Sequence, residues 1–135
     1  CNSENIKLIG TGTEKVEEEC QLLFPDARIA RMDLDTTRKK GDFESIITDF
    51  AEHKIDILIG TQMISKGLHF DDVSLVAVIH ADSMLNQPDF RCVERTYQML
   101  AQVAGRAGRN DKQGEVIIQT SNADLRILID CCKYI

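Results

Sequence analysis

A chain of 135 residues with 43% hydrophobic content is the size of one ordinary domain, large enough for a sizeable core and too short for two. Its formal net charge of −6 argues against a free-standing nucleic-acid binder with a broadly basic surface, so any such contact must be local. Five cysteines (Cys1, Cys20, Cys92, Cys131 and Cys132) are odd in number and lack CxxC spacing, which argues for a reducing compartment, the cytoplasm by default; no apolar run or export signal implies a membrane partner.

Ile6 to Gly10 is a short strand candidate that breaks into Thr11-Gly12-Thr13, and Thr13 is the candidate N-cap of a helix running to about Leu23 with Val16, Cys20 and Leu23 inward. Pro25 ends it, Arg28 to Asp33 reads as a second strand, and Asp33 to Thr37 as a polar loop. From Asp42 to His53 the apolar residues Phe43, Ile46, Ile47, Phe50 and Ala51 fit the i, i+3, i+4, i+7, i+8 helical template. Ile55 to Ile59 and Val73 to Ile79 are nearly all apolar, as strands buried on both faces would be. Pro88 opens a helix whose stripe of Phe90, Val93, Tyr97, Leu100, Ala101 and Ala104 leads to Gly105. Gly114 to Thr120 is a last strand, and Asp124 to Lys133 a final helix with Leu125, Leu128 and Ile129 inward and Cys131-Cys132 at its end. Strands alternating with helices at this spacing predict an α/β fold with a mainly parallel sheet and helices on both faces, in three layers.

Ligands of such sheets bind at the carboxyl ends of the strands. The loop after the third strand candidate, Gly60-Thr61-Gln62-Met63-Ile64-Ser65-Lys66-Gly67, has Thr61, Gln62, Lys66 and backbone N–H groups that suit the sugar-phosphate backbone of a single strand, although Lys66 alone would equally serve as a solvated lysine. The stretch Gln102-Val103-Ala104-Gly105-Arg106-Ala107-Gly108-Arg109 sets two arginines on one helical face beside two glycines. Glycine near a helix interior costs roughly 1 kcal/mol relative to alanine, which points to a close approach to the backbone, and planar guanidinium groups suit a phosphate. A simple helix C-terminus accounts for the same residues in part. The chain has no GxxxxGK[ST] cradle and no evident acidic box for magnesium, so it is not expected to grip and cleave a nucleoside triphosphate alone; an arginine supplied to a neighbouring domain is the complementary role. His53 and His80 lack metal-ligand spacing and read as structural, and Asp82 reads as a loop residue, with a non-catalytic phosphoacceptor or protein-interaction module as the competing class.

The loop at Gly60 resembles motif V, and the stretch at Gln102 motif VI, of the second RecA-like domain of superfamily 2 helicases. With Gly10 to Glu17, Arg31 to Thr37, Ala81-Asp82-Ser83 and Pro88-Asp89-Phe90-Arg91 added, the chain is similar in order, from about Gly10 to Thr120, to the PriA-type primosomal protein N′ family of replication-restart DNA helicases. The resemblance implies that residues 1–135 form one RecA-like helicase C-terminal domain, half of an ATP-driven 3′ to 5′ DNA motor. Arg106 and Arg109 would be the catalytic arginines; Gly67, His69 and Gln102 would join them around ATP; Thr61, Gln62 and Lys66 would touch DNA. The family reads aspartate where His69 stands, which puts that contact in question. Implied partners are forked or single-stranded DNA, the first RecA-like domain of the same parent chain, and primosome and replication-restart proteins; implied cofactors are ATP and Mg²⁺ in the parent enzyme. The family's zinc-binding insertion precedes the Gly-x-Gly-Thr-Glu stretch, so residues 1–5 are expected to be its remnant, with Cys1 a former Zn²⁺ ligand in an incomplete site. Motifs V and VI alone would also fit an RNA helicase.

Overall fold

A computed structural model describes residues 12–33, 40–61, 73–86, 88–105 and 114–134. The strand expected at Ile6 to Gly10 and most of the loop after Asp33 lie outside these residues.

The described chain alternates between helices and short strands: α1 (Thr13–Leu23), β1 (Ile29–Met32), α2 (Lys40–Ala51), β2 (Ile57–Gly60), β3 (Leu75–Val78), α3 (Asp82–Leu85), α4 (Cys92–Ala104), β4 (Glu115–Ile118) and α5 (Arg126–Tyr134). All pairing among the described residues is parallel: β1 runs beside β2 with Ile29 opposite Ile57 and Met32 opposite Gly60, and β3 beside β4 with Leu75 opposite Glu115 and Val78 opposite Ile118. This is the α/β arrangement that the alternating pattern predicts, consistent with the RecA-like domain that the resemblance implies, and laid out among the described residues as two parallel pairs.

Each pair carries its own helices. α1 and α2 pack on the first, and Val16 and Cys20 of α1 are half-buried as expected. Leu23 is not inward; it is 73% exposed. An 11-residue helix is about 16 Å long whereas a four-residue strand is about 13 Å, so the last turn outruns the strands it packs on. Thr13 is not the N-cap either. Gly12 holds that position in extended conformation (φ −63°, ψ 156°), and Thr13, the first helical residue, turns its hydroxyl to Asp33 instead.

On the second pair, Leu100 of α4 and Leu128 and Cys131 of α5 form a buried cluster, against which Val78 of β3 and Ile118 of β4 pack. β3 and β4 are buried on one face only: Leu75, Ile79 and Ile117 are exposed, contrary to the expectation for β3. At the helix end Cys131 is buried and Cys132 exposed, whereas Ile129, expected inward, turns out to be partly exposed.

The register of α4 departs most from the sequence reading. The helix starts at Cys92, not Pro88, and buries Thr96 and Leu100 while Phe90, Val93, Tyr97 and Ala101 face outward; the Ala104 side chain lies outside the description. Thr96 enters the core because its hydroxyl donates to the Cys92 carbonyl one turn back, at 2.7 Å. That bond satisfies the only polar group it would otherwise strand, so a threonine can occupy the inner face.

A salt-bridged clamp closes the turn into β1. The Arg28 guanidinium meets both Asp56 oxygens, at 2.9 and 2.7 Å, and donates to the His53 carbonyl, while the Arg28 N–H also reaches Asp56. These donors hold the Asp56 carboxyl at about 2. A carboxyl whose folded pKa lies below its unfolded value stabilises the fold fully above the unfolded value, near 3.8, and loses that contribution as pH falls toward about 2. Asp56→Asn should therefore lower thermal stability slightly at neutral pH and flatten the acid limb between these values, as read from melting temperature against pH.

Candidate functional site

The carboxyl edge of the β1–β2 pair gathers three segments. Met32 and Gly60 are register partners, so Asp33 and Thr61 leave adjacent strands side by side. The start of α1 joins them through the Thr13 hydroxyl, which donates to Asp33 Oδ2 at 2.7 Å. Arg31 reaches back from β1, its Nε lying 3.3 Å from Glu17 of α1 and 3.5 Å from Asp33. Asp33 is only 8% exposed, and the cation and the hydroxyl together compensate for burying its charge.

This network is what the sequence reading missed. Asp33 was legible as the end of a strand and the start of a polar loop, and Arg31 as a strand residue within the Arg31 to Thr37 stretch, but not as partners. In the folded chain Arg28 and Arg31 are both engaged by carboxylates. Of the residues expected to touch DNA, Thr61 stands exposed immediately beyond β2, held at a defined place by the Gly60–Met32 pairing. Gln62 and Lys66, like Gly67 and His69, lie outside the described residues.

The carboxyl edge of the β3–β4 pair is fastened by Asp82. Far from being a loop residue, it opens α3 and accepts from the Thr120 hydroxyl at 2.6 Å on one oxygen, and from the Ser121 N–H at 2.7 Å and hydroxyl at 3.0 Å on the other. The Thr120 hydroxyl, followed by the Ser121 N–H, holds the Asp82 carboxyl below the usual carboxylate range. Both oxygens are thus committed to joining the ends of β3 and β4, which suits a brace and not a phosphoacceptor. His80, just before it, adopts a left-handed backbone (φ 54°), and the Ala81 N–H bonds to the Gln119 carbonyl across the pair.

α4 leads in sequence to the arginine-bearing stretch. Leu100 anchors it against Val78 and Ile118, and Gln102 follows, exposed, in the last turn. Gly105 caps the helix with φ −65° and ψ 2°, its N–H bonding to the Ala101 carbonyl at 3.1 Å. A Cβ there would meet Ala101 and Gln102 carbonyl oxygens at 3.5 and 3.8 Å, ordinary contacts, so the chain's own packing does not demand glycine at 105. Arg106 and Arg109 lie outside the described residues, as does Cys1. Among the described residues no cluster of three or more His, Cys, Asp or Glu side chains could hold a metal ion, and no helix is long and apolar enough to cross a membrane.

Comparison with known proteins places this arrangement. Residues 2–111 match the helicase conserved C-terminal domain, a span that takes in every candidate residue except Cys1. The chain is 57% identical over 120 residues, 89% of its length, to the replication restart protein PriA of Bacillus subtilis. It is 49% identical over 128 residues, 95% of its length, to that of Haemophilus influenzae. The PriA of Synechocystis is 48% identical over 120 residues, again 89% of the chain. The matched region amounts to 15%, 18% and 14% of those relatives' own lengths. The chain belongs to the helicase conserved C-terminal domain family, and the relatives it resembles within that family are replication restart proteins.

Proposed function

We propose that residues 1–135 are a single domain, the second motor domain of an ATP-dependent 3′ to 5′ DNA helicase that acts in replication restart and primosome assembly. The observation that carries this reading is the similarity to replication restart proteins across a span that holds both the Gly60 loop and the Gln102 to Arg109 stretch. ATP and its Mg²⁺ would be held by the first RecA-like domain of the parent chain, the metal neutralising charge on the β- and γ-phosphates when bound. Arg106 and Arg109 then place guanidinium donors against the charge that develops on the transferring γ-phosphoryl group. Gln102, Gly67 and His69 complete the nucleotide side, and His69, standing in place of the family's aspartate, contributes a ring nitrogen instead of a carboxylate. On the other side of the same loop, Thr61, Gln62 and Lys66 hold the sugar-phosphate backbone of DNA. Replication-restart and primosome proteins are the partners of the whole enzyme, which acts in the cytoplasm on forked or single-stranded DNA, and Cys1 is the one residue here that would have belonged to the parent's Zn²⁺ site.

A loop whose near end meets DNA and whose far end meets the nucleotide couples the two ligands, and such couplings typically amount to about 1–3 kcal/mol, or about 5- to 150-fold. Lys66→Ala in the intact enzyme should therefore lower the ratio of ATPase rates with and without saturating single-stranded DNA by about that factor, with the DNA-free rate less affected. If both rates fall together and the ratio stands, the loop serves the fold or the nucleotide alone. Stimulation of the wild type by RNA in preference to DNA would replace the DNA motor with an RNA motor.

A further inference from the structure

Phe90 is 90% exposed, the most exposed large apolar side chain among the described residues, and hydrogen bonds and an ion pair of Asp89 fix the turn that carries it. Asp89 accepts the Arg91 N–H on its Oδ1 at 2.9 Å, offers its carbonyl to the Cys92 N–H at 2.9 Å, and binds the Arg95 guanidinium at 2.8 Å through Oδ2. The Arg95 N–H in turn bonds to the Arg91 carbonyl at 2.9 Å. The Arg91 guanidinium lies 5.1 Å from the centre of the Phe90 ring, within cation–π range. Hydrophobicity alone would drive a phenyl ring inward, yet this one is held out in water by a fixed turn with a planar cation beside it.

We infer that Phe90 and Arg91 form a stacking platform for a nucleobase of single-stranded DNA, the ring taking the base and the guanidinium the adjoining phosphate. An exposed aromatic beside an arginine is the pairing by which single strands are held without regard to sequence, because every base presents a π-face and every nucleotide a phosphate. The charge at the turn distinguishes this from an ordinary apolar docking patch: Arg91 lies against the ring and an Asp89–Arg95 ion pair fixes the same turn, unlike the apolar run of Leu22, Leu23 and Phe24 exposed at the end of α1. Val93 and Tyr97 continue along α4 from the platform toward Gln102 and the arginine-bearing stretch. The inference rests on the DNA-motor reading and adds to it a contact that holds bases, where the Gly60 loop holds only the backbone.

The test uses the intact enzyme with a fluorescent dT oligonucleotide and the same strand carrying abasic sites, both measured by anisotropy. Wild type should favour the base-bearing strand, and Phe90→Ala should weaken its binding by about 5- to 150-fold while barely changing the abasic strand. Phe90→Trp should retain the preference and Phe90→Leu should not, since leucine keeps apolar area without a π-face. Arg91→Gln should reduce the slope of log affinity against log salt by about one phosphate contact. Equal binding of both strands by wild type and Phe90→Ala would overturn the platform, as would full rescue by Phe90→Leu, which would mark the patch as a protein contact. Failure of the wild type to bind either strand would overturn the DNA-motor reading itself and leave the platform without a ligand.

Discussion

Arg106→Ala or Arg109→Ala in the intact enzyme is expected to slow ATP hydrolysis by about 10³- to 10⁵-fold while leaving ATP affinity much less changed. The asymmetry follows from when the charge arises. In that proposed site the γ-phosphate of bound ATP would already be countered by the other domain, whereas the spreading charge of the transition state would be new and would need new donors. Lysine at either position should restore only part of the rate, because it keeps the positive charge but loses the planar fork that meets two oxygens at once. Steady-state turnover combined with equilibrium binding of a non-hydrolysable analogue separates the two effects. Equal losses of rate and affinity would place the arginines on the ground state, and no loss would reduce the stretch to a helix terminus.

The second large effect is on stability, and it tests the register of α4. Leu100 is 1% exposed, at the junction of α4, α5, β3 and β4, so Leu100→Ala should cost about 2–5 kcal/mol through lost transfer energy and the cavity left behind. A domain of this size has only about 5–15 kcal/mol to lose. Val93→Ala, on the outward face of the same helix, should fall within about 0.5 kcal/mol. Urea denaturation of the three proteins measures both. A large loss at Val93 and a small one at Leu100 would mean that the helix is turned the other way.

That contrast shows where residue patterns stop being informative. Phe90, Val93, Tyr97, Leu100 and Ala101 form a convincing apolar stripe on paper, and hydrophobicity offers no reason to prefer a face centred on Thr96. Burial of Thr96 depends on a hydroxyl finding the carbonyl of Cys92, and exposure of Phe90 on a turn fixed by Asp89. Both are decided by short-range geometry, which composition does not encode. The alternation of helices and parallel strands was legible because it depends only on period and spacing, and α2 falls close to its expected place for the same reason. Asp82 and Asp33 went unrecognised as braces because their partners, Thr120 with Ser121 and Thr13 with Arg31, are distant in sequence or are themselves ambiguous polar residues. The candidate ligand contacts were legible by a different route, the resemblance of two loops to known motifs. Of those contacts the fold positions Thr61 and Gln102 at the ends of β2 and α4.

The central claim is that this domain completes, from the opposite side, a nucleotide site housed in another domain, and that it does so for the transition state. It is tested most directly by the affinity of the intact enzyme, with single-stranded DNA present, for ADP–aluminium fluoride relative to a non-hydrolysable ATP analogue. Wild type should bind the planar fluoride complex far more tightly, and Arg109→Ala should remove most of that advantage while binding the ATP analogue nearly as before. An Arg109→Ala enzyme that keeps the full advantage would contradict the account.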